Sequence, residues 1–198
     1  MDATTGGCLV MLVDIKGIRM EIHASVQWET PDEYLDAARE LMGAIDIDPC
    51  TTERAQERIM ATVYYTKETN GLDKPWLGRL WLNAPYDAGI IEQFMDRAIE
   101  QYLIGNILEG LILTHTNNTH YEYFQKVLKE CAAACFVRDY IHWTSGHVQE
   151  EEKINEMGIN WHPEYTKHGN AVLYLGVRPY NFKKVFSKFG VCLCQMKS

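Results

Sequence analysis

No apolar run in this chain of 198 residues approaches the roughly 20 needed to cross a bilayer; Cys8 to Val13 is far too short. Met1-Asp2 gives no basic start for a signal peptide, so a protein working in the cytoplasm is expected. None of the six cysteines stands in CxxC spacing, and the chain is long enough to build a core without disulfide staples. Reduced thiols follow. The seven histidines form no HxH or HExxH spacing, and no metal site is read. Positive charge is scarce: 19 Lys and Arg face 27 Asp and Glu, a net charge of -8. That balance argues against a broad, nonspecific nucleic-acid binder and leaves room only for a local basic groove. There are no repeats, low-complexity tracts or linker-like shifts in composition.

What is present is a 46% hydrophobic chain of a length suited to a single domain, residues 1–198. Two short strands flank Asp14-Ile15-Lys16-Gly17. Thr30-Pro31-Asp32-Glu33 predicts a helix start, with Thr30 as N-cap, Pro31 at N1 and Glu33 closing a capping box, and the helix stops at Gly43. Ile45-Asp46-Ile47-Asp48-Pro49-Cys50 alternates apolar and acidic residues before a proline. Thr51 or Thr52 caps a helix to about residue 60, a strand over 61–66 follows, and Thr69-Asn70-Gly71-Leu72 is a turn. A buried strand Leu80-Trp81-Leu82 then ends abruptly in Asn83-Ala84-Pro85-Tyr86, and Asp87 can cap the amphipathic helix over 90–103. A strand over 106–113 closes at Thr114-His115-Thr116. Helix over 119–134 and strand over 135–138 come next; Cys131 and Cys135 would share a helical face as core packing.

The pattern breaks between His142 and Gly169, where Trp143, Trp161 and Tyr165 are interleaved with His147, His162, Lys167 and His168. Residues 144–168 read as a solvated loop or insertion, or as a recognition loop gripping an unpaired strand. A strand over 171–177, a helix over 180–188 with basic Lys183, Lys184 and Lys188, and a strand over 189–195 end the chain. Alternating strands and helices predict a three-layer α/β sandwich.

In an open α/β sheet, ligands bind beyond the carboxyl ends of strands, which is where Asn83 to Tyr86 would stand. An Asn/Asp-Pro-Pro-aromatic tetrad there is the signature of methyltransferases acting on a planar NH2 group. A side-chain oxygen and a neighbouring carbonyl accept from the amine while the ring stacks on the base or amide. A plain turn after a strand explains the same four residues.

Taken in order, several stretches resemble the phage-type DNA N6-adenine methyltransferase (Dam-like) family. They are His23-x-Ser25-x-x-Trp28-x-Thr30-Pro31, then Ile45 to Cys50, then Tyr64-Tyr65-Thr66. Asn70-Gly71-Leu72 with Trp76 and Gly78 follows, then Asn83-x-Pro85-Tyr86, and finally Tyr174-Leu175-Gly176 with Phe182, Phe186 and Gly190. The resemblance implies a Rossmann-like three-layer sandwich of the class I S-adenosylmethionine-dependent methyltransferase type, with a reversed-hairpin edge. It also implies S-adenosyl-L-methionine as cofactor, DNA as partner and methyl transfer to the exocyclic N6 of adenine. In phage it would act in the host cell's cytoplasm. On that model Asn83, Ala84, Pro85 and Tyr86 are catalytic. Trp28, Thr30 and Pro31 wall the cofactor site, Asp46, Asp48 and Pro49 stand at its first strand, and Asn70, Gly71 and Leu72 lie near its adenine. Two departures stand out: Ala84 replaces a proline of the tetrad, and Pro49-Cys50-Thr51-Thr52 replaces the glycine-rich loop after the first strand. Two rival readings remain open at this point. One is a methyltransferase for another planar amine, such as a protein glutamine amide; the other is a noncatalytic relative that binds cofactor or DNA.

Overall fold

The structure is a computed structural model that describes residues 8–15, 18–25, 28–86, 89–141, 143–145 and 168–195; of residues 8–28, 144 and 145 it describes the backbone. Strands β1 (Cys8–Ile15) and β2 (Ile18–Ser25) form an antiparallel hairpin. β3 (Trp28–Glu29) leads into helix α1 (Asp32–Met42) and pairs with the distant β9 (Thr144–Ser145). The main sheet is built from β4 (Ile47–Asp48), β5 (Val63–Tyr64), β6 (Gly78–Leu82), β7 (Ile107–His115), β8 (Ala133–Val137), β10 (Asn170–Leu175) and β11 (Gly190–Cys194). Its order is β11-β8-β10-β7-β6-β4-β5. β5, β4, β6 and β7 are mutually parallel, and β10 enters antiparallel between β7 and β8, with β11 antiparallel at the edge.

Helices cover both faces. Trp81, Leu111, Leu113, Val172 and Tyr174 point toward α1, α2 (Glu53–Ile59) and α5 (Pro179–Phe186). Leu80, Leu82, Ile112, Ala171 and Leu173 point toward α3 (Ile90–Leu103) and α4 (Glu122–Glu130). Because β6, β7 and β10 are covered twice, their sequences are nearly continuous apolar runs instead of alternating ones. In α3, Ile91, Phe94, Met95, Ala98 and Ile99 recur at helical spacing and supply the buried stripe.

Three local expectations are corrected. Thr30 is not the N-cap of α1: the helix begins one residue later, Pro31 is extended at its head, and no side chain caps it. Thr30 is committed elsewhere, its carbonyl to Arg58 and its hydroxyl to Asn83. The helix over 119–134 shrinks to Glu122–Glu130, preceded by a 3-10 turn over Thr116–His120. Alanines 133 and 134 are strand instead, since burial between β10 and β11 overrides their helix propensity. Cys131 and Cys135 therefore share no helical face: Cys131 ends α4, and Cys135 lies in β8 opposite Cys192. Gly43 does end α1, with φ +86, a left-handed conformation that other residues resist. Asp87, most of the 144–168 segment and the side chain of Trp28 lie outside what the structure describes.

Candidate active site

From β4 the chain steps outward to β5 and then crosses back to β6 on the other side of β4. Strand order reverses between β4 and β6, and such a reversal opens a crevice at the carboxyl ends. Asp48 closes β4 there, and Asn83 is the first residue beyond β6.

Asn83 is gripped on three sides. Its Nδ2 donates to Thr30 Oγ1 (3.3 Å), the Cys50 thiol donates to its carbonyl (3.6 Å), and the Tyr86 hydroxyl donates to its Oδ1 (3.2 Å). Thr30 thus turns the carboxamide so that its oxygen faces Tyr86. Thr30 is itself held by Arg58, which donates to its carbonyl (2.8 Å) and also bridges Glu29 (3.3 Å) and Asp32 (2.7 Å). One guanidinium on α2 therefore pins the segment that ends in Pro31. Ala84 is buried, Pro85 exposed and Tyr86 half-buried. Burial pushes the Tyr86 phenol well above its ordinary range, so it is a neutral donor. Its ring lies flat on the imidazole of His115, the last residue of β7, at 3.6 Å between centroids and 7° between planes.

On the β4 side, Asp48 is only 2% exposed and accepts from Cys50 N (3.3 Å) and Gln56 Nε2 (3.1 Å). Those bonds do not offset its desolvation, and burial raises its carboxyl to about 7. The Asn70-Leu72 turn packs directly on this strand end. A Cβ at Gly71 would stand 2.0 Å from the Pro49 carbonyl oxygen, so only glycine allows the approach. Trp76 Nε1 donates to the Gly71 carbonyl (2.8 Å), and Asn70 Oδ1 accepts from Leu72 N (3.3 Å).

The fold thus gathers Thr30, Pro31, Asp48, Pro49, Asn70, Gly71, Leu72 and the tetrad at the same end of the sheet. Asp46 does not join them, which corrects the expectation for it. It precedes β4 and is spent on Arg79 at the start of β6, accepting from Nε at 2.6 Å, Nη2 at 2.7 Å and the backbone N–H at 2.8 Å. Those bonds, led by the Arg79 side chain, hold its carboxyl below the usual range. The backbone of Trp28 pairs with that of Ser145, and its side chain lies outside the described part of the structure.

The model of the DNA N-6-adenine-methyltransferase (Dam) family matches residues 20–161. The chain belongs to the Dam family. No curated protein and no solved structure matches it. The Dam match spans Thr30, Asp48, the Asn70 turn, the tetrad and His115, and it ends before β10, α5 and β11.

Reading the sequence missed three members of this candidate site. Arg58 and Gln56 look like ordinary polar residues of a short helix, and no local pattern marks their partners. His115 carried a usable signal, since it closes an apolar strand at the end where ligands bind; its contact with Tyr86, 29 positions away, is purely tertiary. Among the described residues, Thr114 Oγ1, His115 Nε2 and Asn170 Oδ1 are buried polar atoms without a partner. His115 and Asn170 are directly opposed across β7 and β10.

Proposed function

We propose that this chain, as a single Rossmann-like domain of the class I type over residues 1–198, transfers a methyl group from S-adenosyl-L-methionine to the exocyclic N6 of adenine in DNA. One observation carries the reading. Asn83 stands at the strand-order reversal beside Asp48, with its amide nitrogen tied to Thr30 and its oxygen turned toward an aromatic ring. A simple turn has no need to orient an amide in this way.

The residues opposite Asn83 fit the cofactor's chemistry. A buried carboxylate held near 7 gains from a neighbouring cation, and half-buried Leu72 and Tyr65 pack against the apolar cluster that contains Ile47, the residue before it. Asp48, Pro49, Asn70, Gly71, Leu72, Thr30 and Pro31 would hold the cofactor, with Trp28 as a further wall. When bound, it supplies an electrophilic methyl on a sulfonium.

The chain's own residues prepare the amine. Adenine N6 is a poor nucleophile because its lone pair is delocalised into the ring. Asn83 Oδ1 and the Ala84 carbonyl accept its two hydrogens, which favours a pyramidal nitrogen and aims the lone pair. The target amine takes the place at Oδ1 that the Tyr86 hydroxyl now fills, and the base stacks on the Tyr86 ring. The carboxamide is not a base, so positioning and electrostatics carry the acceleration. Reaching N6 in a duplex requires flipping the base, at a cost of a few kcal/mol.

The test is to sequence DNA from cells expressing the protein for N6-methyladenine by motif, alongside transfer of labelled methyl to DNA and to protein. Methyl in a defined DNA motif supports the reading. Label in protein alone, or cofactor binding without transfer, overturns it.

A further inference from the structure

His115 lies outside the tetrad, and the chemistry above makes no use of it. It is the last residue of β7, held in the ladder opposite Asn170, with 9% of its surface exposed. Tyr86, by contrast, stands in the loop after β6 and is only half-buried. The two rings meet face to face at 3.6 Å, while His168 tilts against the same imidazole at 5.1 Å and 47°. Asn117 Nδ2 meets His168 Nδ1 at 3.0 Å, so this second ring is tethered as well. A ring on a strand, braced by a tethered neighbour, lies against a ring on a loop.

We propose that His115 is a positioning residue that backs Tyr86 and sets the plane on which the target base stacks. The proposal rests on the reading of Asn83 to Tyr86 as the place of the target adenine, and it adds which face of Tyr86 the base uses. Displacing His115 would break the pairing of β7 with β10, so the base takes the face of Tyr86 turned away from it. The imidazole Nε2 is buried and has no partner among the described residues, whereas the ring itself is stacked on Tyr86. Burial, followed by the charge of His168, lowers the His115 pKa to about 4, and the ring is uncharged at neutral pH. An uncharged flat ring is a stacking partner. Without it, the Tyr86 ring keeps its edge packing on the apolar core and its hydroxyl contact to Asn83 Oδ1, and the second of these is the contact that the incoming amine must break.

The experiment compares wild type, His115→Ala, His115→Leu and His115→Phe. It uses duplexes containing the methylated motif, and the same duplexes with 2-aminopurine at the target position. Removing the stacked ring is expected to raise KM for DNA roughly two- to ten-fold, with a smaller change in kcat. It is also expected to weaken the quenching of flipped 2-aminopurine as it stacks. Leucine fills space without an aromatic face and should behave like alanine, whereas phenylalanine should restore both readouts. Melting curves identify the folded variants, and if the alanine variant does not fold, the leucine and phenylalanine pair decides. A folded alanine or leucine variant with wild-type KM and quenching overturns the proposal. So does a folded phenylalanine variant as impaired as leucine. If wild type neither methylates DNA nor alters the 2-aminopurine signal, the tetrad reading fails and this proposal falls with it. That result differs from wild-type activity indifferent to residue 115.

Discussion

At the scale of single residues, the site divides into groups that orient and groups that bear charge. Thr30 orients Asn83, and Thr30→Val keeps the shape while removing the acceptor for Nδ2. Its expected effect is a fall in kcat of about ten-fold with KM for cofactor little changed, as for the loss of about one hydrogen bond's worth of positioning. Asn83→Ala removes the acceptor itself and should cost on the order of 10²–10³ in rate while the melting temperature moves little. Steady-state kinetics of both variants check this, and equal losses would remove Thr30 from its supporting place. Asp48 bears the charge. Its carboxyl titrates near 7 in the folded chain and at about 4 unfolded, so between those values the folded state holds the extra proton. Stability from this group is therefore full at low pH and falls as pH rises from about 4 to 7. Asp48→Asn should stabilise the cofactor-free protein at pH 8 but not at pH 4. The gain is on the order of a few kcal/mol from linkage, less about 1 kcal/mol because the new amide cannot accept from both Cys50 N and Gln56 Nε2. The same substitution should shrink the rise in melting temperature expected of wild type with S-adenosyl-L-methionine. Melting curves at both pH values, with and without cofactor, decide it; a variant less stable than wild type at pH 8 would contradict the assignment.

At the scale of elements, what could be read from the chain was whatever a local pattern encodes. The apolar stripe of α3, the glycine stop of α1, the cap at Thr52 and the abrupt end of β6 all depend on neighbours within a few positions. The errors arose where a distant partner outbid the local preference. Thr30 has the sequence of a helix cap but is claimed by Arg58 and Asn83, and Ala133-Ala134 favours helix but is sealed between two strands. Asp46 and Asp48 looked alike in an alternating strand, yet Arg79 takes the first and burial isolates the second. The candidate site was legible as separate pieces, because polar residues at strand ends and a glycine turn are visible signals. Their assembly was not, since the turn meets the end of β4 through a close approach of Gly71 to Pro49, 22 positions away. Gly71→Ala tests that joint. A methyl group 2.0 Å from the Pro49 oxygen forces the turn off the strand end, costing roughly 1–3 kcal/mol. Cofactor stabilisation should fall by more than a change in fold stability alone would explain. A variant that keeps the wild-type cofactor shift would show that the turn does not line the site.

At the scale of the whole molecule, the two apolar clusters lie on opposite faces of one sheet and share β6, β7 and β10, which favours a single cooperative unfolding transition. No helix among the described residues is long and apolar enough to cross a membrane. The harder question is how a chain of net charge -8 meets a polyanion. Attraction must come from a local concentration of cations, and α5 with its following turn offers exposed Lys183, Lys184 and Lys188. Their placing is favourable at one end. Lys188 lies over the Phe189 ring at 5.0 Å, Phe189 stacks on Tyr34 at 4.3 Å, and Tyr34 lies in the first turn of the helix whose head carries Thr30 and Pro31. The acids of α1, exposed at Asp32, Glu33 and Asp36, oppose this attraction nearby. Binding to DNA is therefore expected to weaken with salt, but with a modest slope, since each phosphate neutralised contributes about -0.9 to the logarithmic dependence. Replacing the three lysines by glutamate should lower affinity at low salt, flatten the slope by up to about three, and leave the melting temperature nearly unchanged because all three are exposed. Lys188→Glu alone should account for more of the loss than Lys183→Glu, given its position beside Phe189. Titrations of a fluorescent duplex at several salt concentrations measure both quantities. A slope indifferent to all three lysines would place the DNA-binding surface elsewhere on the molecule.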